Sequence, residues 1–405
     1  MTQEIAADAA GDLPGTLTAG LHVAILQDYE SILSARDSIE KLCEDLCETN
    51  VFFEPWFLLP ALRYLGTAER IHFLCLYETT GRQRLCGFFP LVESRLHPLI
   101  PLKIYQAWAH RQCFRCTPLV RKGFAEAFWC SLLSWLASRP WHCRLLDLQR
   151  LPAEGELWNA LEAALRQRTS FRTLLHRHHT AFLHADTSYE EVLKRAMSGA
   201  TKRKLHQSQR RLAEAGRVSF VEVGGGAGEG HSIEALTEAF LELESSGWKG
   251  KAGTALASNE QEADFFRQVI RVAADREELC LLALCLDGQM IAAHCIFLHP
   301  PGSFHFKTAY NEAFRRYSPG TLLQMEETRR LCDPKDPLRA SVLWSDSCAG
   351  PNDGPDYRCW PDRMAVARCR ITTSWTLHAI PLMLWPLIRR VLRFSHRADK
   401  AQPAR

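Results

Sequence analysis

Residues 279–300 read LCLLALCLDGQMIAAHCIFLHP, two apolar runs joined at Asp287-Gly288. Asp-Gly between strand-like runs marks a tight turn, so the stretch is predicted to be a β-hairpin. Before it, VSFVEV reads as a strand, and HSIEALTEAFLELESS and NEQEADFFRQVIRVAADR read as helices. After it come strand SFHFKTAY, helix SPGTLLQMEETRRL and strand SVLWSD. In that helix Ser318 is placed to cap and Pro319 occupies the first position. A hairpin embedded among alternating helices and strands predicts layered α/β (α+β) architecture rather than a barrel or bundle.

The first half of the chain shows the same order. LHVAILQ is strand-like, and Ala35 to Cys47 carries Ile39, Leu42 and Leu46 at helical spacing. FFEPWFLLPALRYLG starts a second helix near Pro55 and stops at Gly66. IHFLCLYE and RLCGFFPLVES form a hairpin around TTGRQ, and strand LKIYQAWA follows. Helices from Ala125 to Ala137 and Glu156 to Arg166 then alternate with strands RLLDLQ and RTLLHRHHTAFLH. The repeat is one of element order over about 170 residues, with no short repeated motif. A long basic helix, roughly Tyr189 to Ala215, joins the halves. At 405 residues the chain exceeds one ordinary domain. The expected division is a disordered terminus at 1–20, domains at 21–187 and 188–373, and a basic amphipathic tail at 374–405.

The net charge of +3 gives no bulk reason for nucleic-acid binding. The 15 cysteines are odd in number and scattered through apolar stretches, and the first residues lack a secretory leader pattern. Free thiols in a reducing cytoplasm are expected. The most apolar run, SWTLHAIPLMLWPLIRRVLRFSHR (374–397), is broken by His378, Pro381 and Pro386. A spanning helix needs about 20 mostly apolar residues. The run reads either as a docked terminal helix or as an interfacial one, peripheral at the inner membrane face. In the latter, Trp375 and Trp385 point inward and Arg389, Arg390 and Arg393 meet headgroups.

Several motifs fail on spacing. VEVGGGAGEGHS has no frame that satisfies G-x-G-x-x-G and reads as a connector. SSGWKGKAGTA (245–255) reads as a loop, but Ala252 and Ala255 stand where a phosphate loop needs glycine. HRQCFRC (110–116) carries one C-x-x-C without a second, so buried thiols are expected and no metal site. His294 lies mid-strand in an apolar run and reads as a satisfied core histidine. The segment from Lys194 to Arg217 includes Lys194, Arg195, Lys202, Arg203, Lys204, Arg210, Arg211 and Arg217 against the single acid Glu214. It is either a solvated helix face or a contact for a polyanion: coenzyme phosphates, a nucleotide-linked substrate, transfer RNA or anionic lipid.

FLELESSGWKGKAGTAL, FKTAYNEAFRRYSPGTLL and SDSCAGPNDGPDYRCWPDR follow one another in the second half, after TKRKLHQSQRRLAEAG. Together they resemble the CelD-like acetyltransferase family of the GNAT superfamily, a cellulose-biosynthesis-type family similar in build to FemAB-type aminoacyltransferases. The resemblance covers roughly Val51 to Ile371 and is strongest from Ser198 onward. The chain departs from the pattern at Asn311, where members usually carry Asp, and in having no His between Asp346 and Trp360.

The resemblance implies two tandem GNAT-like domains, each a mixed central sheet flanked by helices. It implies acyl transfer from acetyl-CoA or another acyl-CoA to an amine or hydroxyl of a small or sugar-linked acceptor, such as a nucleotide sugar or a cell-envelope precursor. In a GNAT domain two central strands splay apart to admit pantetheine, and the pyrophosphate meets the following helix start. Here that segment is Arg315 to Thr321, which makes Arg315, Arg316, Ser318, Gly320 and Thr321 the cofactor candidates. Asp346 and then Glu312 are the candidate bases, and Tyr310 or Tyr317 the candidate proton donor to the thiolate. Trp248, Lys249, Lys251 and Lys307 are acceptor candidates, with Trp248 read either as a wall of the acceptor site or as an interface plug. Two rival readings remain: an aminoacyltransferase fed by charged tRNA, and a non-catalytic partner of a polysaccharide synthase.

Overall fold

The computed structural model of the chain describes residues 20–373, apart from 67–69, 80, 82, 98–99, 169, 224–231 and 351–356. The expectations for residues 1–19, for the connector at 224–231 and for the tail beyond 373 lie outside the described residues.

The first half runs β1 (Leu21–Leu26), α1 (Tyr29–Ser34), α2 (Arg36–Cys43), α3 (Pro55–Leu65), β2 (Ile71–Glu78), β3 (Arg84–His97), β4 (Ile100–Ala107), β5 (Leu119–Val120), α4 (Ala125–Ala137), β6 (Leu145–Pro152), α5 (Glu156–Arg166) and β7 (Phe171–His184). Helices α6 (Tyr189–Ala196) and α7 (Gly199–Ala215) connect it to the second half. There follow β8 (Val218–Val223), α8 (Ile233–Ser246), α9 (Trp248–Lys251), α10 (Glu260–Asp275), β9 (Leu279–Leu286), β10 (Gln289–His299), β11 (Gly302–Tyr310), α11 (Pro319–Leu331), α12 (Pro337–Ser341), β12 (Trp344–Asp346) and β13 (Asp362–Thr372).

The thirteen strands of the described residues form one mixed sheet, ordered β1-β2-β3-β4-β6-β13-β7-β12-β11-β10-β9-β8, with β5 paired to β3. The halves exchange their last strands. β7 ends the first half but pairs antiparallel with β12 of the second. β13 ends the second half but pairs antiparallel with β6 of the first. The exchanged strands also pair with each other along their whole length, from Phe171 against Thr372 to Phe182 against Asp362. The apolar core crosses the seam too. Phe57 on α3 meets Phe265 on α10 at 5.3 Å and Phe306 on β11 at 5.6 Å between ring centroids.

Each half holds one parallel pair that parts after three residues. β4 and β6 pair from Ile104–Leu145 to Gln106–Asp147. β11 and β12 pair from Gly302–Trp344 to Phe304–Asp346. In the first half the chain fills its own gap. Gln149 donates to the Ala107 carbonyl (3.0 Å), Arg150 donates to the His110 carbonyl (3.2 Å), and Cys116 N–H donates to the Arg150 carbonyl (3.2 Å). Cys113 and Cys116 sit in this plug as buried thiols.

Three local expectations change. The basic helix is two helices, because Met197 is extended (φ −148°, ψ 152°) and the Ser198 hydroxyl accepts from Thr201 N–H to cap a fresh start. The segment expected as a loop at 245–255 contains the short helix α9. β13 adds a strand that the sequence pattern did not separate from the loop before it. No helix among the described residues is long and apolar enough to cross a membrane.

Candidate active site

β12 stops at Asp346, so from His305 to Tyr310 the β11 edge facing it has no strand partner among the described residues. A cavity of about 300 Å³ opens at that edge. Thr308, Ala309 and Tyr310 of β11, His294 of β10, the start of α11, the end of α8, and Trp248 and Lys249 of α9 form its walls, together with Tyr357 and Arg358.

The α11 wall suits an anion. Ser318 was expected to cap this helix, but its backbone is left-handed (φ 55°, ψ 51°) and its side chain makes no cap hydrogen bond. Pro319 at the first position has no N–H to offer. The N–H groups of Gly320 and Thr321 therefore have no side-chain cap, at the positive end of a 13-residue helix. A Cβ built on Gly320 meets nothing within 4 Å, so a ligand can reach this backbone closely. Arg315 stands exposed at the same wall and makes no close ion pair among the described residues. Arg316 is not in the wall: its guanidinium donates to the Tyr317 hydroxyl (2.7 Å) and lies over the Tyr317 ring. Tyr317 is buried and outside the wall, which leaves Tyr310 as the tyrosine of the expected pair that reaches the cavity. Asn311 accepts from Ala313 N–H (3.0 Å) and starts the helical turn Glu312–Tyr317, a task an Asp would also perform.

On the other side Trp248 is 56% exposed at the cavity rim, so it is a wall and not a plug of the seam. Lys249 is bound within the protein, donating to Glu244 Oε1 (2.8 Å) and to the Thr308 carbonyl (2.9 Å). Glu244 in turn accepts from Leu256 N–H (2.8 Å). These bonds hold α8, α9 and β11 in register around the opening. Lys251 pairs with Glu312 (2.6 Å), which holds the Glu312 carboxyl below its usual range. Neither lines the cavity, and an acid held ionised by a lysine is a weak proton acceptor.

Asp346, the first candidate base, does not line this cavity. It is 1% exposed and forms a two-point pair with Arg115, at 2.7 Å to Nε and 2.6 Å to Nη2. It also accepts from Cys348 N–H (2.8 Å). Its task is to clamp the first half's plug to the second half's strand. Lys307 lies on the opposite side of β11 from His294, because a bulge pairs Cys295 with Lys307 and Ile296 with His305. Burial lowers its ammonium to about 8 while Glu244 works against that. It lies 5.4 Å from the Phe114 ring and 5.5 Å from the Phe306 ring and is not part of the cavity wall.

Behind the cavity wall at His294 lies a cluster that no sequence motif singled out. His294, His305 and Glu327 are all buried. Glu327 on α11 receives His294 Nδ1 at 2.9 Å on one oxygen and His305 Nε2 at 2.6 Å on the other. Tyr357 Oη lies 3.1 Å from His305 Nδ1. Burial alone would raise the Glu327 carboxyl, but the two histidines hold it down at about 2. The three ligand atoms lie within 4.8 Å of one another, close enough to take a metal ion, although their mutual hydrogen bonds already satisfy them. His294 is thus a core histidine on one side and cavity wall on the other. A signal existed: Glu327 falls on the stripe Leu323, Gln324, Glu327, Thr328, Leu331 that α11 buries.

Residues 199–339 match the family of the acetyltransferase (GNAT) domain. This span contains the open edge of β11, α11 and most of the cavity wall, and the chain is an acyltransferase. No curated protein matches the sequence. Among solved structures, the crystal structure of FemX is similar with a TM-score of 0.53 at 9% identity, covering 84% of this chain and 96% of that one. The C-terminal domain of a putative lysylphosphatidylglycerol synthetase from Agrobacterium fabrum has a TM-score of 0.48 at 11% identity, covering 87% and 95%. A tandem GNAT protein from the clavulanic acid biosynthesis pathway has a TM-score of 0.39 at 15% identity, covering 86% and 98%. At these identities the FemX likeness is one of fold, and the mixed α/β architecture expected from the sequence, a mixed sheet flanked by helices, stands.

Proposed function

We propose that the second half transfers an acyl group from acyl-CoA, acetyl-CoA being the simplest, to an amine or hydroxyl of a sugar, a nucleotide sugar or a cell-envelope precursor. One observation carries this reading. Among the described residues the GNAT-matched half keeps its strand gap open beside a helix start with no side-chain cap, whereas the first half fills the equivalent gap with its own chain. A pantetheine arm laid along β11 has strand hydrogen-bonding groups on offer, and a pyrophosphate meets Gly320 and Thr321 N–H with Arg315 beside them. The acceptor enters past Trp248, whose exposed ring offers a stacking face to a sugar. Tyr310 is the proton donor to the departing thiolate in this scheme.

Titration calorimetry with acetyl-CoA tests it. Saturable binding that weakens in Arg315→Ala is expected; no binding by the folded chain would sink the reading. A second reading has its own support. Arg203, Lys204, Arg210 and Arg211 are exposed on α7 and make no ion pair among the described residues. Such a face suits a polyanion, and transfer RNA as the carrier of the acyl group is the alternative. Filter retention of aminoacyl-tRNA, with no heat from acetyl-CoA, would favour it.

A further inference from the structure

The carboxylate between His294 and His305 sits under the cavity proposed for the acyl donor and acceptor, and any catalytic role for it rests on that proposal. Glu327 has no exposure, and each of its oxygens receives one imidazole N–H. An ionised carboxylate only accepts, so His294 carries a proton on Nδ1 and His305 carries one on Nε2. Nδ1 of His305 is then a lone pair, which receives the Tyr357 hydroxyl at 3.1 Å. A second proton on His305 would only turn the Tyr357 hydroxyl from donor to acceptor. The negative charge of Glu327 lies against both rings, and of the two it is His294 that lines the cavity. With Nδ1 protonated, the basic nitrogen of His294 is Nε2, on a ring that lines the cavity.

We propose that His294 is the general base of the acyl transfer, with Glu327, His305 and Tyr357 as its positioning residues. The acceptor nitrogen or oxygen attacks the thioester carbonyl carbon while His294 Nε2 takes its proton. The tetrahedral oxyanion collapses, the C–S bond breaks, and its electron pair leaves on the CoA sulfur. Tyr310 protonates the thiolate and recovers its proton from the imidazolium through solvent. Acyl-CoA and H–X thus give acyl-X and free CoA. The carboxylate offsets the imidazolium charge that forms in the first step, and it does so without moving. Among the described residues, the charged and titratable groups around the ring and its cavity include Glu327 from α11, His305 from β11, Tyr357 and Arg358 before β13, Arg315, and the Lys249–Glu244 pair. Among the described residues no carboxylate other than Glu327 is hydrogen-bonded to the ring.

Two measurements on the full chain test the assignment. The first follows CoA thiol release from acetyl-CoA with excess ethanolamine as the probe acceptor, across pH, beside calorimetric binding of CoA. His294→Gln is expected to lose on the order of 10²-fold or more in rate while binding CoA as the parent does. Glu327→Gln is expected to move the acidic limb of the pH profile, where the base loses its proton, to lower pH, because the imidazolium loses its counter-charge. The second is an NMR titration of ¹⁵N-histidine-labelled parent protein, which needs no variant to fold. It is expected to show His294 as the Nδ1–H tautomer, titrating to the imidazolium. A His294→Gln enzyme that binds CoA and turns over at the parental rate overturns the proposal. So does a His294 ring with its proton on Nε2, or parental activity abolished by a chelator and restored by Zn²⁺, which would make the cluster a metal site. Failure of the parent protein to bind CoA instead overturns the donor assignment on which the proposal rests.

Discussion

Single side chains divide the candidates by what already holds them. Asp346 and Glu327 are both buried carboxylates, yet they face different demands. Asp346 meets a guanidinium at two points and a backbone N–H, so its charge is spent on the Arg115 clamp. Glu327 meets two imidazoles, one of them in the cavity wall. Replacing Asp346 with Ala leaves Arg115 buried without its partner, an imbalance that costs about 3–5 kcal/mol. The expected outcome in denaturant titration is a lower midpoint of that order, with KM for acetyl-CoA unchanged in the protein that remains folded. A KM rise at unchanged stability would return Asp346 to the site. The choice of Asp346 as base came from a polar residue at a strand end, which is how site acids read in sequence. Its partner is 231 positions away, and no local pattern reports such a pair.

Elements set the donor wall. The Ser318-Pro319 pair identified a helix start in the sequence, and α11 does begin at Pro319. What the pair could not reveal is that Ser318 adopts a left-handed backbone and withholds its hydroxyl, which leaves the start to a ligand. Gly320→Ala isolates this point. Open space at the Cβ position means no clash in the unliganded protein, so an unchanged thermal midpoint is expected. The added side chain stands where phosphate oxygens would approach, and losing a charge-assisted hydrogen bond costs roughly 1.5–3 kcal/mol. KM for acetyl-CoA should therefore rise at least about tenfold, read by steady-state kinetics. Trp248 was legible as an unusual aromatic in a polar segment, but its choice between wall and plug depends on how α9 is pinned by the Lys249 bonds to Glu244 and Thr308.

Across the molecule, the exchange of β7 and β13 makes one sheet of two halves. β13 supplies the neighbour of both β6 and β7, so a chain ending before Asp362 leaves two long strand edges unpaired in the middle of the sheet. Such a truncation is expected to be insoluble or unfolded by circular dichroism, and the intact chain to unfold in one transition by two independent probes. A soluble, folded truncation would show that the halves stand alone. Most of the longer helices and strands, the hairpin at Asp287-Gly288, the helix start at Pro319 and the repeated order of the halves were legible in the sequence. They depend on residues a few positions apart, through turn chemistry, capping and the periodicity of apolar side chains. The exchanged strands, the plug that closes the first half's gap, and the union of His294, His305 and Glu327 were not. Each joins residues far apart in the chain, and the joining is decided by which buried polar groups can satisfy one another once the core has closed.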